Sequence, residues 1–270
     1  MDLDVFALMQ GVKQPVVHLG LSSARMLGLI AILPVFKRTE LGRAILGVIA
    51  LAMSLPVLGG HRAEMEALPL DSLWFVGGLM VKEFGVGALV GIFFAIPIWA
   101  VQAGGEIIDT QRSIAGQGGT SDPSTGGQAS VTSSLLGLAA ITIFVAEGGL
   151  ALSISTIWGS YAAWPLTDFL PAAPAATAVA RIGGTIGEVL LAGLLLAAPF
   201  VVIFLLSDVA GMAIGRLAGR IDVSGLLPLM KNVLFAAVAL VYVQLLVQHM
   251  RGDLAEAWKV PRLLETLAGR

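Results

Sequence analysis

The chain has 270 residues, of which 57% are hydrophobic and 13% charged, with a formal charge of -2. A soluble domain carries about 25% charged residues, so this composition describes a membrane protein with little extra-membrane mass and no soluble enzyme domain. The acidic balance and the lack of any Lys/Arg run exclude nucleic acid as a partner, and the absence of cysteine excludes disulfides and thiolate metal sites.

Six hydrophobic segments follow in order, at Val16–Phe36, Ala44–Leu58, Leu73–Val101, Val131–Trp158, Ile186–Leu206 and Val233–Val247. A helix needs about 20 apolar residues to cross a bilayer. The second segment is short and is expected to end at Pro56. The third is long and carries Lys82 and Glu83, read as a junction between two half-helices. The fourth contains Glu147 followed by Gly148 and Gly149. The start of the chain has Asp2 and Asp4 where a secretory signal would be basic, so it is expected to be retained.

Orientation is in tension with itself. The cluster Lys37, Arg38 and Arg43 belongs in the cytoplasm by the positive-inside rule, whereas six full crossings would put Arg251, Lys259, Arg262 and Arg270 outside. Some segments are therefore not expected to cross. After the fourth segment, Trp158, Tyr161 and Trp164 read as an interfacial belt, and Pro165, Pro171 and Pro174 as a stiff connection. The tail 251–270 reads as an amphipathic helix broken near Pro261.

Between the third and fourth segments lies the one long polar interruption rich in small residues, Gly104 to Ser130, read as a loop. Lipid cannot hydrate such backbone, so the loop must line or close an aqueous path or be buried in protein. It lacks the lysine and Ser/Thr of a phosphate-cradling loop, and no G-x-S-x-G elbow is present. His18, His61 and His249 are scattered without metal-ligand spacing. No enzymatic activity and no cofactor are expected.

Arg25 lies in the middle of the first segment. An arginine at a bilayer centre costs on the order of 2.5–3.5 kcal/mol, so a partner is expected, with Glu147 and Glu188 as candidates. Helix packing and a charge facing a transport path both remain open for it. Gly85, Gly87 and Gly91 read as residues that let helices approach closely.

These features resemble the SctT/FliR export-apparatus proteins of bacterial type III secretion systems and the flagellum. The resemblance rests on Arg25 with Pro34, Phe36 and Arg43, on the spacing of Glu83, Gly87 and Gly91, and on Asp109, Gln111, Arg112, Asp122 and Pro123 within GGEIIDTQRSIAGQGGTSDPSTGGQ. It continues through Gly148, Gly149, Ser160 and Pro165, and through the segment from Arg216 to Lys231, where Gly219 replaces a frequent proline and Asp222 a frequent asparagine. It implies a single all-α membrane domain over 1–270, built of helical hairpins of uneven length and packed in a hetero-oligomeric export-gate ring in the bacterial inner membrane.

The implied partners are SctR/FliP-like, SctS/FliQ-like, SctU/FlhB-like and SctV/FlhA-like subunits, rod or needle subunits, unfolded secreted polypeptides and membrane lipid. The implied plug of the pore is the loop 106–123, with Glu106, Asp109, Gln111, Arg112, Gly116, Asp122 and Pro123. Arg25, Lys82, Glu83, Glu147, Arg216 and Lys231 are the implied intramembrane charges. The wording of DTQRS and the polar tail point to a virulence-type system. The alternative is a small-solute or ion transporter using Arg25 and Glu147, and a third possibility is a scaffold that only nucleates neighbouring subunits.

Overall fold

The computed structural model describes residues 5–39, 41–66, 68, 72–112, 120–121, 128–169, 175–217 and 226–257. In order, the elements are α1 (Val5–Ile32), α2 (Pro34–Lys37), α3 (Arg43–Gly60), α4 (Arg62–Glu66), α5 (Leu73–Gln111), β1 (Thr120–Ser121), β2 (Gln128–Ala129), α6 (Val131–Ala146), α7 (Gly149–Ala163), α8 (Ala175–Leu217) and α9 (Leu226–Ala257). Among the described residues the secondary structure is helical apart from the two-residue strands, which pair antiparallel with Thr120 opposite Ala129. Among the described residues, four helices are long and apolar enough to cross a membrane, or five if α6 and α7 form one broken span.

Each apolar run expected from the sequence is helical, the first and fourth as two helices each, and several run further than expected. Helix α3 continues through Pro56 to Gly60, and α1, α5 and α8 also contain a proline. Proline is tolerated inside membrane helices where neighbouring groups satisfy the freed backbone. Lys82 and Glu83 lie within the unbroken α5, so the expected junction of half-helices is absent. The break at Gly148 and Gly149 is present: α6 ends at Ala146, and Gly148 adopts φ 80°, a left-handed conformation suited to glycine.

The chain divides into two units, one made of residues 1–95, 148–180 and 256–270, the other of 96–147 and 181–255. In the first, Leu21, Val57, Met65, Leu79, Tyr161 and Leu166 form the core. Helices α1 and α5 run in the same direction here, since Gly20 faces Met80, Gly28 faces Phe84 to Ala88, and Gly91 faces Leu29 and Ile32. A methyl group at Gly87 would fall on the Arg25 backbone carbonyl, so the two helices touch backbone to backbone.

In the second unit, the last turns of α5 pack with α6, α8 and α9 around Ile108, Ala197, Phe200 and Phe204. Gly104 faces the carbonyl of Gly193 on α8, and Gly105 faces Thr132 and Ser133 at the start of α6. These two glycines are helical. Their lack of a side chain brings neighbouring helices close and does not break α5.

Candidate functional site

Among the described residues, two polar clusters stand out in this apolar chain. In the first unit, Arg25 and Glu83 are both fully buried. Arg25 Nε donates to Glu83 Oε2 at 2.5 Å and Nη2 to Oε1 at 3.2 Å, a bidentate pair. Two further donors reach Ser160 Oγ at 2.8 Å and the Trp164 carbonyl at 2.6 Å, and the guanidinium lies 3.8 Å from the Tyr161 ring centre.

Lys82 curls back from the next position on α5 to Glu83 Oε1 and donates to the carbonyls of Pro165 and Leu166 at 3.1 Å and of Asp168 at 3.3 Å. Each charge is matched by hydrogen bonds, as a buried ion must be to persist.

Several expectations are corrected by this cluster. The partner of Arg25 is Glu83. Glu147 is exposed at the cap of α6, so it gives Arg25 no buried counterion. Lys82 and Glu83 share one cluster because the flexible lysine stem spans the angle between neighbouring helical positions. Tyr161 is buried and so stands outside any interfacial belt, while Trp158 is partly exposed and donates to the Met53 carbonyl. The chain after α7 does not extend at once: Asp168 N donates to the Pro165 carbonyl in a turn that presents three carbonyls to Lys82. A transporter using Arg25 as a substrate site would need a free guanidinium, and four of the five N–H groups of this one are already engaged.

The second cluster lies in the second unit, at the end of α5. Glu106, Asp109 and Gln111 belong to α5 and not to a loop. Asp109 is 1% exposed. Its Oδ2 accepts from the Thr132 backbone N–H at 2.8 Å and its Oδ1 from Thr132 Oγ1 at 2.5 Å. Ser130 caps α6 from within by accepting from Ser133 N–H, so Asp109 supplies a second cap from another helix. A carboxylate here also opposes the positive end of the helix dipole. The stretch 113–129 is thus tied off at its base, with Asp109 on one side and Thr132 on the other.

Arg112 follows directly on α5 and completes the stem. Its Nη1 donates to Asp109 Oδ1 at 3.2 Å and to Thr132 Oγ1 at 3.3 Å, while Nε and Nη2 donate to Asn232 Oδ1 on α9 at 3.0 and 2.8 Å. The guanidinium also stacks 4.1 Å from the Phe235 ring centre. Burial pulls Arg112 below the ordinary arginine value, with Asp109 acting the other way, yet a guanidinium keeps its charge throughout the working pH range. Lys231 Nζ donates to the Gln111 carbonyl and to Asp208 Oδ2 on α8, both at 2.9 Å.

Glu106 is exposed, and its carbonyl accepts from Thr110 Oγ1. Arg216 is exposed in the last turn of α8. Gly116, Asp122, Pro123, Gly219 and Asp222 lie outside the described residues, as does the tail beyond Ala257; the tail's first residues, 251–257, continue α9. Sequence reasoning missed Thr132, Asn232 and Asp208, which have no local spacing that marks them. For Arg25 and Glu83 a signal existed: each stands about one helical turn before a close-packing glycine, Gly28 or Gly87.

The family described as "Bacterial export proteins, family 1" matches residues 16–257. The chain is 27% identical over 241 residues to "Yop proteins translocation protein T" of Yersinia pestis, covering 88% of this chain and 90% of that protein. It is 26% identical over 238 residues to "Surface presentation of antigens protein SpaR" of Salmonella typhimurium, covering 88% and 87%. With "Flagellar biosynthetic protein FliR" of Pectobacterium carotovorum it shares 27% identity over 202 residues, 74% of each chain. With its apolar helices, these matches make it a multi-pass protein of the bacterial inner membrane and a component of a type III secretion or flagellar export apparatus. The chain belongs to the bacterial export proteins, family 1.

Proposed function

We propose that this chain is a structural and gating subunit of the export apparatus, forming part of a conduit for unfolded polypeptide. The stretch 113–129 acts as the plug. The observation that carries this reading is the buried stem. Two helix ends flanking a stretch rich in glycine, serine and threonine are fastened to each other by Asp109 and Thr132, and a long polar segment between apolar helices is tolerated only in water or in protein. Glycines at 116, 118, 119, 126 and 127 let the backbone pass through conformations closed to other residues, which suits a segment that must yield.

The plug expected from sequence spans 106–123, of which 106–111 is helical. In this reading Asp109 to Arg112 hold the base, and the obstructing part begins beyond Arg112. The partners in this reading are SctR/FliP-like, SctS/FliQ-like, SctU/FlhB-like and SctV/FlhA-like subunits, which complete the wall of the conduit, with the unfolded polypeptide as cargo.

Deleting Gly116 to Gly127 tests the reading in cells carrying the whole apparatus. The resting complex should become leaky to ions and small solutes. Normal secretion with unchanged membrane permeability would contradict the plug.

A further inference from the structure

We infer that Lys231 and Asn232 are positioning residues through which α9 holds together the ends of α5 and α6, the base of the proposed plug. This rests on the plug reading for its consequence but not for its geometry.

Two adjacent residues of α9 take hold of the same stem at different points. Lys231 seizes the Gln111 carbonyl, at the last residue of α5. Asn232 takes two of the Arg112 donors on a single oxygen, and Arg112 passes the restraint on to Asp109 and Thr132 at the start of α6. Phe235, one turn along, supplies the face on which the guanidinium lies. Asp208 on α8 holds the other side of the Lys231 ammonium. Hence a single turn of α9 is wired to the ends of α5 and α6 and to α8.

The grip differs in kind from the link it supports. Asp109 is buried and bonded to the backbone of α6, whereas the hydrogen bonds of Asn232 are solvent-exposed. Exposed bonds to a charged group exchange with water at modest cost, so this is the part of the stem that yields first. A small displacement of α9 removes both restraints together, because residues 231 and 232 move as one piece of helix.

The chain has no cysteine, which permits clean double labelling at exposed Thr110 and Leu135, near the ends of α5 and α6. The distance between nitroxides at Thr110→Cys and Leu135→Cys is measured in the assembled complex, beside ion leak across the reconstituted membrane. Asn232→Ala and Lys231→Met should each broaden the distance distribution and raise the leak about tenfold, the scale of one lost hydrogen bond to a charged group. Asn232→Asp, whose carboxylate accepts from Arg112 more strongly, should keep the distribution narrow and the complex tight.

An unchanged distance distribution in Asn232→Ala and Lys231→Met overturns the inference. A broadened distribution without leak, in a complex that leaks when 116–127 is deleted, overturns it as well, because the grip would then be structural only. A broadened distribution with a tight loop deletion supports the grip and rejects the plug.

Discussion

The Arg25–Glu83 cluster and the Asp109–Arg112 stem use the same chemistry, an arginine against a carboxylate with hydroxyl and carbonyl partners, for different ends. In the first, both charges are fully buried and every named partner lies within helices or a turn of one unit. In the second, only the carboxylate is fully buried; the arginine reaches an exposed asparagine, and the cluster stands at the base of a glycine-rich stretch. Burial decides the difference. A closed cluster resists any motion that would strand a charge, while a half-exposed one lets water replace its outer bonds.

The largest expected effect comes from breaking the closed cluster. Glu83→Ala strands the Arg25 and Lys82 cations without their carboxylate and should cost about 3–5 kcal/mol, seen as loss of folded, membrane-extractable protein; Arg25→Ala, which leaves Glu83 paired with Lys82, should cost less. The triple variant Arg25→Met, Lys82→Met and Glu83→Met, which removes all three charges of the cluster, should recover much of that loss, which would separate a packing role from any charge-dependent one. Gly87→Leu is next: its side chain would collide with the Arg25 backbone, which cannot yield as a flexible side chain would, so a loss of roughly 1–3 kcal/mol or more is expected in thermal unfolding.

At the stem the effect should be smaller in stability and larger in permeability. Asp109→Asn keeps the shape but loses the ion pair and weakens the cap on α6, for about 1–2 kcal/mol. That change should show as raised ion leak while the complex still assembles. The smallest effects belong to the exposed charges. Glu106→Gln, Glu147→Gln and Arg216→Gln should each stay within about 0.5 kcal/mol of the parent in stability. A large effect at Glu147 would instead revive a transport role for that carboxylate.

Much of the helical order was legible because apolar runs bounded by polar residues have few alternatives in a membrane protein. The misread positions share a cause. Glycine marks both chain breaks and close helix contacts, so Gly104 and Gly105 read as the start of a loop although they bring α8 and α6 against an unbroken α5. Pro56 read as a stop although α3 runs on to Gly60.

The need of Arg25 for a partner followed from its surroundings, but the identity of that partner depended on how α1 and α5 cross. That crossing is a long-range fact, and its one trace in the sequence is the placing of Gly28 and Gly87 a turn beyond the two charges. Asp109 and Arg112, read from the sequence as part of a plug loop, meet in one cluster at the end of α5, with the Gln111 carbonyl beside them. Their connection to Thr132, Asp208, Lys231 and Asn232 spans up to 120 positions and has no local periodicity to betray it.

The most direct test is the ion conductance of the reconstituted export complex carrying Asp109→Asn, which leaves 113–129 intact and loosens only its base. A standing current in the absence of cargo, approaching that of the complex lacking 116–127, is the predicted result. Complexes of both variants that remain as tight as the parent would contradict the account.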